Sequence, residues 1–393
     1  MRKKEYLIGI FGILLIGANL RLPITMVPPF LPEIDHLFGL ATSVNGLLTT
    51  IPLLMFALLS PLVASWGVRL GNVKVLFYAL IILALGSFLR SIPNVWALFI
   101  GTITVGIGIS GGNVLLPSII QEYFANKATL ITGLYLTTMS VFAAIGTGGI
   151  VPLFQKTGYS AAILVLSSFS LFALLLWTRF SIKLPAKEVE KTISRQTAQK
   201  YSVKGAKLTW LVTLYFGIQS LLAYSLIAWL PSYWVHVRFS TTLAGLLMTF
   251  FVLVGIPMTM LIPFVARTKQ GTLALTIVIG LGMMLGTLSL IISSQNFGLN
   301  LFCAILLGMT TVSAFSLSIV FFQQKTSSYE QTAELSGTAQ SIGYLLAGTG
   351  PLLSGILVDH FHSWPLVFAI YVGLACLLLL VGIVIAFSKP IKG

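Results

Sequence analysis

The sequence predicts an all-α integral membrane protein with 12 transmembrane helices in two six-helix bundles. Two observations predict this class: 57% of the 393 residues are hydrophobic, and only 8% are charged. The mean hydropathy is +0.99, whereas about 25% of the residues in a soluble domain are charged. So few charges cannot cover a soluble surface, and a lipid bilayer must be the solvent. Because the apolar runs are continuous instead of alternating, a transmembrane β-barrel is excluded.

Charged, proline, glycine and asparagine residues divide the chain into twelve apolar runs. Each run approaches or exceeds the length of about 20 residues that crosses a bilayer as a helix. The predicted spans cover 6–30, 43–65, 73–90, 94–120, 129–153, 160–181, 208–234, 242–265, 272–293, 297–322, 333–357 and 364–387.

A long polar and basic connection separates the first six spans from the last six. We therefore predict an N-terminal six-helix bundle at 1–181, a basic cytoplasmic loop at 182–207 and a C-terminal six-helix bundle at 208–393. An internal repeat supports this division, because one offset of 202 residues aligns four pairs of spans. The aligned residues are Pro29 with Pro231, Pro61 with Pro263, Gly106 with Gly308, and Gly146 with Gly348.

The lysines and arginines are distributed unevenly over the connections. Nineteen of the 23 fall at the termini and in the connections on the same side of the membrane as the termini. Because cytoplasmic loops carry the excess of positive residues, we expect a multi-pass protein of the cytoplasmic (inner) membrane with both termini cytoplasmic. The net charge of +14 then sets orientation, and no nucleic-acid partner is expected because no basic face lies on a soluble domain.

The sequence contains no pattern typical of a catalytic or metal site. No glycine-rich phosphate loop, carboxylate pair or nucleophile triad is present. Cys303 and Cys376 lie inside apolar runs, and His360 with His362 supplies only two metal ligands. We therefore expect no enzymatic activity, no cofactor and no metal.

Arg21 is the strongest candidate for a solute-binding residue. It is the only charged residue in the middle of a predicted span, about 22 Å along the helix from Tyr6. Either Arg21 binds an anionic or electron-rich planar solute through its forked donors, or it snorkels to the outer interface or pairs with Glu33. Thr25 lies on the same helix face, whereas Asn19 lies about 200° around the helix and shares a ligand only if Pro23 bends it.

Further polar and aromatic residues inside the spans are candidates for lining a solute cavity. Several pairs share one helix face through a spacing of three or four residues. The alternative for each is an interhelical hydrogen bond or, for Trp229, anchoring at the membrane interface. These candidates are Asn113, Tyr135 with Thr138, Gln219, Ser220 with Tyr224, Trp229, and Gln340 with Tyr344.

No aspartate or glutamate lies in the middle of a predicted span. Proton-coupled transporters usually carry a buried titrating carboxylate or histidine. The transport mode therefore stays open between uniport, exchange and cotransport. A proton is the candidate coupling ion.

Several sequence blocks spread over nearly the whole chain together carry a family resemblance. The blocks are Asn19-Leu-Arg21 with Ile24-Thr25, Leu116-Pro-Ser118, Thr132-Gly-Leu-Tyr135, Tyr215-Phe-Gly217, Ala228-Trp-Leu-Pro231, Gln340-Ser-Ile-Gly-Tyr344 and Gly350-Pro351. They resemble the CynX/NimT-like family of cyanate and 2-nitroimidazole transporters within the major facilitator superfamily. Two features depart from that family: Leu22 separates Arg21 from Pro23, and the loop at 65–71 lacks the acidic residue of the superfamily motif.

The resemblance implies a secondary transporter in which two halves rock around a site near the middle of the membrane. Its solute would be small, anionic or nitrogen-containing, with Asn19 and Arg21 matching the family's first-span motif. We expect a monomer whose partners are this solute and the lipid bilayer. The alternatives are a multidrug or toxic-compound exporter of the same fold and, less favoured, a solute-binding membrane sensor.

Overall fold

The computed structural model describes residues 3–27, 30, 34, 37–38, 42–183, 203, 205–293 and 295–391. Within these residues the chain forms thirteen α-helices. The first half contains α1 (Lys3–Thr25), α2 (Thr42–Leu70), α3 (Asn72–Leu89), α4 (Val95–Tyr123), α5 (Ala128–Thr157) and α6 (Tyr159–Lys183). The second half contains α7 (Lys207–His236), α8 (Thr241–Leu253), α9 (Gly255–Val265), α10 (Lys269–Ser293), α11 (Phe297–Gln324), α12 (Tyr329–Phe361) and α13 (Trp364–Phe387).

Twelve segments are long and apolar enough to cross a membrane, which confirms the predicted number of spans. The eighth span, Leu243–Val265, consists of α8 and α9 together. The sequence predicts one continuous helix there, but the structure breaks it at Val254. Pro257 explains the break, because it has no N–H to donate to the carbonyl of Leu253.

Two asparagines begin corresponding helices in the two halves. The side-chain oxygen of Asn94 accepts hydrogen bonds from the N–H groups of Trp96 at 2.8 Å and Ala97 at 3.3 Å, and so caps α4. The side-chain oxygen of Asn296 accepts one from the N–H of Leu299 at 3.0 Å and caps α11. Each cap satisfies a helix N–H that has no partner within the helix. Because Asn94 and Asn296 are 202 residues apart, they extend the repeat found in the sequence.

Helix packing follows the same repeat. In the first half α3 packs against α4 and α6, and in the second half α10 packs against α11 and α13. Gly106 and Gly308 each allow close approach of a neighbouring helix: a Cβ at Gly106 would lie 2.9 Å from the Cβ of Met55 in α2. A Cβ at Gly308 would overlap the carbonyl of Phe251 in α8. These helix pairs are therefore in contact in both halves.

The chain divides into two compact units. The first unit contains Met1–Val203 together with Ser327–Ser341, and the second contains Lys204–Thr326 together with Ile342–Lys392. The N-terminal part of α12 joins the first unit through contacts such as the hydrogen bond of the Ser118 hydroxyl to the Tyr329 carbonyl, 2.6 Å long. Most of the predicted loop at 182–207 lies outside the described residues.

Candidate functional site

Arg21 lies near the C-terminal end of α1 in the first unit. Its side chain is half-buried, and its carbonyl oxygen accepts a hydrogen bond of 3.1 Å from the Thr25 hydroxyl. The helix ends at Thr25, two residues after Pro23. Glu33, which the sequence offers as an alternative partner for Arg21, lies outside the described residues. Arg21 is thus a cation in the last two turns of α1. Its solute-binding role stays a prediction.

Thr25 attaches the end of α1 to α5. Its hydroxyl oxygen lies 3.0 Å from the carbonyl oxygen of Ala143, which accepts its hydrogen. Gly146 permits this approach, because a Cβ there would lie 2.7 Å from the same hydroxyl oxygen. The Thr147 hydroxyl also donates to the Thr25 carbonyl at 3.3 Å. The Thr25 hydroxyl hydrogen is thus used by the backbone, and the oxygen can serve a solute only as an acceptor.

Asn19 contacts α6 instead of the helix face that carries Arg21. Its amide nitrogen donates to the carbonyls of Leu15 at 2.8 Å and Phe169 at 2.9 Å, and the side chain is 1% exposed. The side-chain oxygen has no hydrogen-bond partner among the described residues. This geometry gives Asn19 a packing role between α1 and α6, and its predicted binding role stays a prediction.

Tyr135 and Thr138 lie on α5 next to α1. Tyr135 is buried, and a Cβ at Gly17 would lie 2.9 Å from its carbonyl oxygen, so α1 and α5 are in close contact here. The Thr138 hydroxyl donates to the Leu134 carbonyl at 2.9 Å within its own helix. Of the predicted pair, Thr138 is half-buried and Tyr135 is packed between helices.

Asn113 and Gln340 are brought together although 227 residues separate them. The Gln340 amide nitrogen donates to the Asn113 carbonyl at 2.9 Å and to the Ser336 hydroxyl at 2.8 Å. Gln340 belongs to the part of α12 that joins the first unit. Its contact with α4 is therefore the interhelical hydrogen bond that the sequence left as an alternative, and the half-buried Asn113 side chain is not used by it.

In the second unit, Gln219 lies in the middle of α7 and is 1% exposed. Its amide nitrogen donates to the Ser220 hydroxyl at 2.6 Å. Its side-chain oxygen is buried and has no hydrogen-bond partner in the described part of the chain. A buried acceptor without a donor costs free energy, so this oxygen is suited to receive an N–H or O–H group from a solute.

Aromatic candidates from α7 and α12 meet in the second unit. The rings of Tyr224 and Tyr344 are edge-to-face with centroids 6.4 Å apart, and Tyr344 also contacts Phe216 at 5.2 Å. Trp229 donates from its indole nitrogen to the Pro351 carbonyl at 2.9 Å. It contacts Trp364 with ring centroids 6.0 Å apart. Trp229 is thus bonded within the unit, in addition to any contact with the membrane interface.

The sequence analysis missed Arg90, which is the last residue of the predicted span at 73–90 and was not a candidate. Arg90 is 2% exposed and donates from Nη1 to the carbonyl of Pro23 at 2.7 Å. Burial lowers the pKa of Arg90 to about 10, so it stays cationic at neutral pH. Nothing in the sequence distinguishes it from the other cations that follow an apolar run. Within the described ranges, no three or more His, Cys, Asp or Glu residues cluster as metal ligands.

Twelve apolar helices long enough to cross a bilayer define a multi-pass membrane protein. The Major Facilitator Superfamily matches residues 11–348, and the chain belongs to this superfamily. Within it, the chain belongs to the CynX/NimT-like family that the sequence blocks indicated. It is therefore a transporter of small solutes.

Three relatives illustrate this membership. The chain is 34% identical to the 2-nitroimidazole transporter of Escherichia coli (strain K12), over 99% of this chain and 98% of the relative. It is 35% identical to the uncharacterized transporter YycB of Bacillus subtilis (strain 168), over 91% and 88%. The cyanate transport protein CynX of Escherichia coli is 26% identical over 88% of both chains.

Solved structures share the fold at low sequence identity. The transporter FucP in its outward conformation superposes with a TM-score of 0.74 at 13% identity, over 97% of this chain and 98% of FucP. The proton:xylose symporter XylE superposes with a TM-score of 0.72 at 16% identity, over 96% and 94%. These similarities support the fold alone.

Proposed function

We propose that this protein is a secondary transporter of a small anionic or nitrogen-containing solute of the cyanate or nitroimidazole type. It works by alternating access across the cytoplasmic membrane. The similarity to the 2-nitroimidazole transporter and to CynX supports the solute class. The observation that carries the proposal is Arg21, a half-buried cation inside a membrane span. A charge at this depth is costly and usually serves a solute or a partner.

The proposed solute chemistry matches the groups that each unit offers. In the first unit Arg21 supplies forked, charged donors for cyanate or for a nitro group. In the second unit the Gln219 oxygen accepts a hydrogen bond from a heterocyclic N–H, and Tyr224 with Tyr344 offers ring faces and edges to a planar solute. The proposed solute-contacting residues are Arg21, Thr25, Asn113, Tyr135, Thr138, Gln219, Tyr224, Trp229, Gln340 and Tyr344, and Asn19, the remaining predicted residue, is proposed to act through its packing between α1 and α6.

We further propose the topology that the charge distribution predicts. Both termini lie in the cytoplasm. The basic loop at 182–207, which connects the six-helix halves at 1–181 and 208–393, lies there too. The excess of lysine and arginine on one side supports this orientation. The protein is proposed to act as a monomer.

Uptake into proteoliposomes that contain only this protein tests the proposal. Labelled 2-nitroimidazole and cyanate are supplied separately, and the initial rates are compared with those of empty liposomes. Wild type should give saturable uptake of at least one solute, and Arg21→Ala should reduce it to the level of empty liposomes. Arg21→Lys should lower uptake by about tenfold, because lysine keeps the charge but loses the planar fork.

Arg238→Ala is the matched control, because Arg238 is an exposed arginine between α7 and α8. It should transport at the wild-type rate. Wild-type uptake by Arg21→Ala would remove Arg21 from the site, and no uptake of either solute by wild type would reject the solute class. Thermal shifts with the same solutes report binding separately from flux. An inward proton gradient that accelerates uptake would identify the proton as the coupling ion.

A further inference from the structure

Arg90 is a buried cation at the C-terminal end of α3, in the first unit. Its side chain is 2% exposed, and Nη1 donates a hydrogen bond of 2.7 Å to the carbonyl oxygen of Pro23 in α1. Its Nε has no partner among the residues that the structure describes. A buried charge that is incompletely paired costs free energy. A neutral side chain would pack at this position at a lower cost in free energy, which indicates that the arginine has a role beyond packing.

The contact satisfies a particular carbonyl at the end of α1. The last carbonyls of a helix have no donor within the helix. The N–H of Val27, which would continue the helical pattern to Pro23, instead lies 3.2 Å from the carbonyl of Ile24. The guanidinium of Arg90 takes its place, and a cation at the C-terminal end of a helix is also favoured by the helix dipole. Arg90 therefore caps α1.

The surroundings of Arg90 hold it in one position. The Tyr159 hydroxyl donates to the Arg90 carbonyl at 2.9 Å, which connects the start of α6 to this residue. Gly101 in α4 leaves the space through which the side chain passes, because a Cβ there would lie 2.5 Å from the Arg90 Cγ. The cap on α1 is thus anchored to α3, α4 and α6 together.

We propose that Arg90 is a positioning residue for solute recognition. It fixes the end of α1, and through that helix end it fixes the direction in which Arg21 presents its guanidinium. Pro23 is only two residues from Arg21, and the Thr25 hydroxyl lies 3.1 Å from the Arg21 carbonyl, in the same turn. Pro23 also removes a backbone donor from this part of α1, so a fixed orientation needs support from outside the helix. The inference rests on the proposed function of Arg21.

Uptake kinetics in proteoliposomes test the proposal, with 2-nitroimidazole and cyanate as probes. Arg90→Met keeps the length of the side chain and removes its charge and its donors. It should raise KM by about tenfold, because Arg21 is no longer held in the direction that binds the solute, while Vmax changes less than KM. Arg90→Lys should recover part of the loss, because lysine can still donate to the Pro23 carbonyl. Tyr159→Phe removes only the anchor of Arg90 and should raise KM by a smaller factor in the same direction.

Lys325 provides a matched control for a purely structural role. It is 7% exposed, and its Nζ donates to the carbonyls of Ser388 at 2.8 Å and Ala386 at 3.3 Å, at the end of α13. That helix carries no proposed solute-contacting residue. Lys325→Met should therefore lower the melting temperature and leave KM at the wild-type value. If Arg90→Met likewise lowers only the melting temperature, the inference is wrong.

The remaining outcomes also decide the proposal. If Arg90→Met does not accumulate in the membrane, Arg90→Lys and Tyr159→Phe replace it, and wild-type KM in both would overturn the inference. Arg21→Ala, measured in the same vesicles, separates the two proposals. Loss of uptake in Arg21→Ala with wild-type KM in the Arg90 variants rejects the positioning role alone. Wild-type uptake in Arg21→Ala rejects the proposed site, and the positioning role with it.

Discussion

The first spans of the two halves, α1 and α7, use their buried polar residues differently. In α1 a half-buried cation, Arg21, lies one turn from a helix end that is tied to α5 and capped by Arg90. In α7 no charged residue occurs between Lys207 and His236, and the largest buried hydrophilic side chain in the middle of the helix is a neutral amide, Gln219, which is 1% exposed. Duplication has therefore kept the packing of the two halves but not the chemistry of their first helices.

The difference suggests that substitutions in the two helices affect transport differently. A charged donor supplies strength that a neutral amide cannot, since hydrogen bonds to ionised groups are about twice as strong. A neutral acceptor instead selects for an N–H or O–H group. We therefore expect substitutions of Arg21 in α1 to lower the uptake of every solute, and substitutions of Gln219 in α7 to lower most the uptake of solutes that carry an N–H or O–H group.

The largest effect is expected when the charge is moved from α1 to α7. Ala223 is 202 residues from Arg21 and is half-buried in α7. The double variant Arg21→Ala with Ala223→Arg keeps the number of cations, but uptake of 2-nitroimidazole should stay at the level of empty liposomes, because the forked charged donors are no longer at the end of α1. The measurement is the initial uptake rate in proteoliposomes.

Each single variant is measured beside the double variant, and the amount of protein in the membrane is determined for all of them. Recovery of uptake in the double variant above that of Arg21→Ala would mean that α1 and α7 are interchangeable. The claim that α1 and α7 contribute different chemistry would then be wrong.

A smaller and opposite pair of effects is expected at Gln219. Replacing it by leucine removes a buried oxygen that has no partner in the described structure, so thermal stability should stay equal or rise, by up to about 1–3 kcal/mol. The same change should raise KM for 2-nitroimidazole about threefold to tenfold, because the solute loses one neutral hydrogen bond. Thermal denaturation and uptake kinetics check the two parts.

Gln219→Glu sharpens this test, because a carboxylate keeps the acceptor and adds a negative charge. It should raise KM for cyanate more than KM for 2-nitroimidazole, because cyanate is an anion. An unchanged KM for both solutes in Gln219→Leu would assign Gln219 to packing, as Asn19 is assigned in α1.

The smallest effect on transport is expected at Asn19. Its amide bonds to the carbonyls of Leu15 and Phe169, so Asn19→Ala should destabilise the protein by about 1 kcal/mol and change KM less than twofold. Differential scanning calorimetry of the purified protein measures the change in stability, and uptake kinetics measure the change in KM. A tenfold rise in KM without loss of stability would instead support the binding role that the sequence predicts.

Helix periodicity predicted which residues share a face but not which of them meet the same neighbour. Gln340 and Tyr344 are one turn apart on α12, as predicted, yet Gln340 bonds to the Asn113 carbonyl in the first unit. Tyr344 packs against Phe216 in the second unit. A long helix can pass from one compact unit into another, and the spacing of its side chains carries no signal of that change.

The sequence by itself determined the twelve spans, the duplicated halves and the family. These properties depend on local hydropathy, on capping residues such as Asn94 and on residue identities, all of which can be read along the chain. The tertiary structure decided the partners of the buried polar groups. Asn19 bonds to a carbonyl 150 residues away, and Arg90 bonds to one 67 residues away. Such partners depend on which helices pack together, and in a membrane span nearly every helix face is apolar enough to allow several packings.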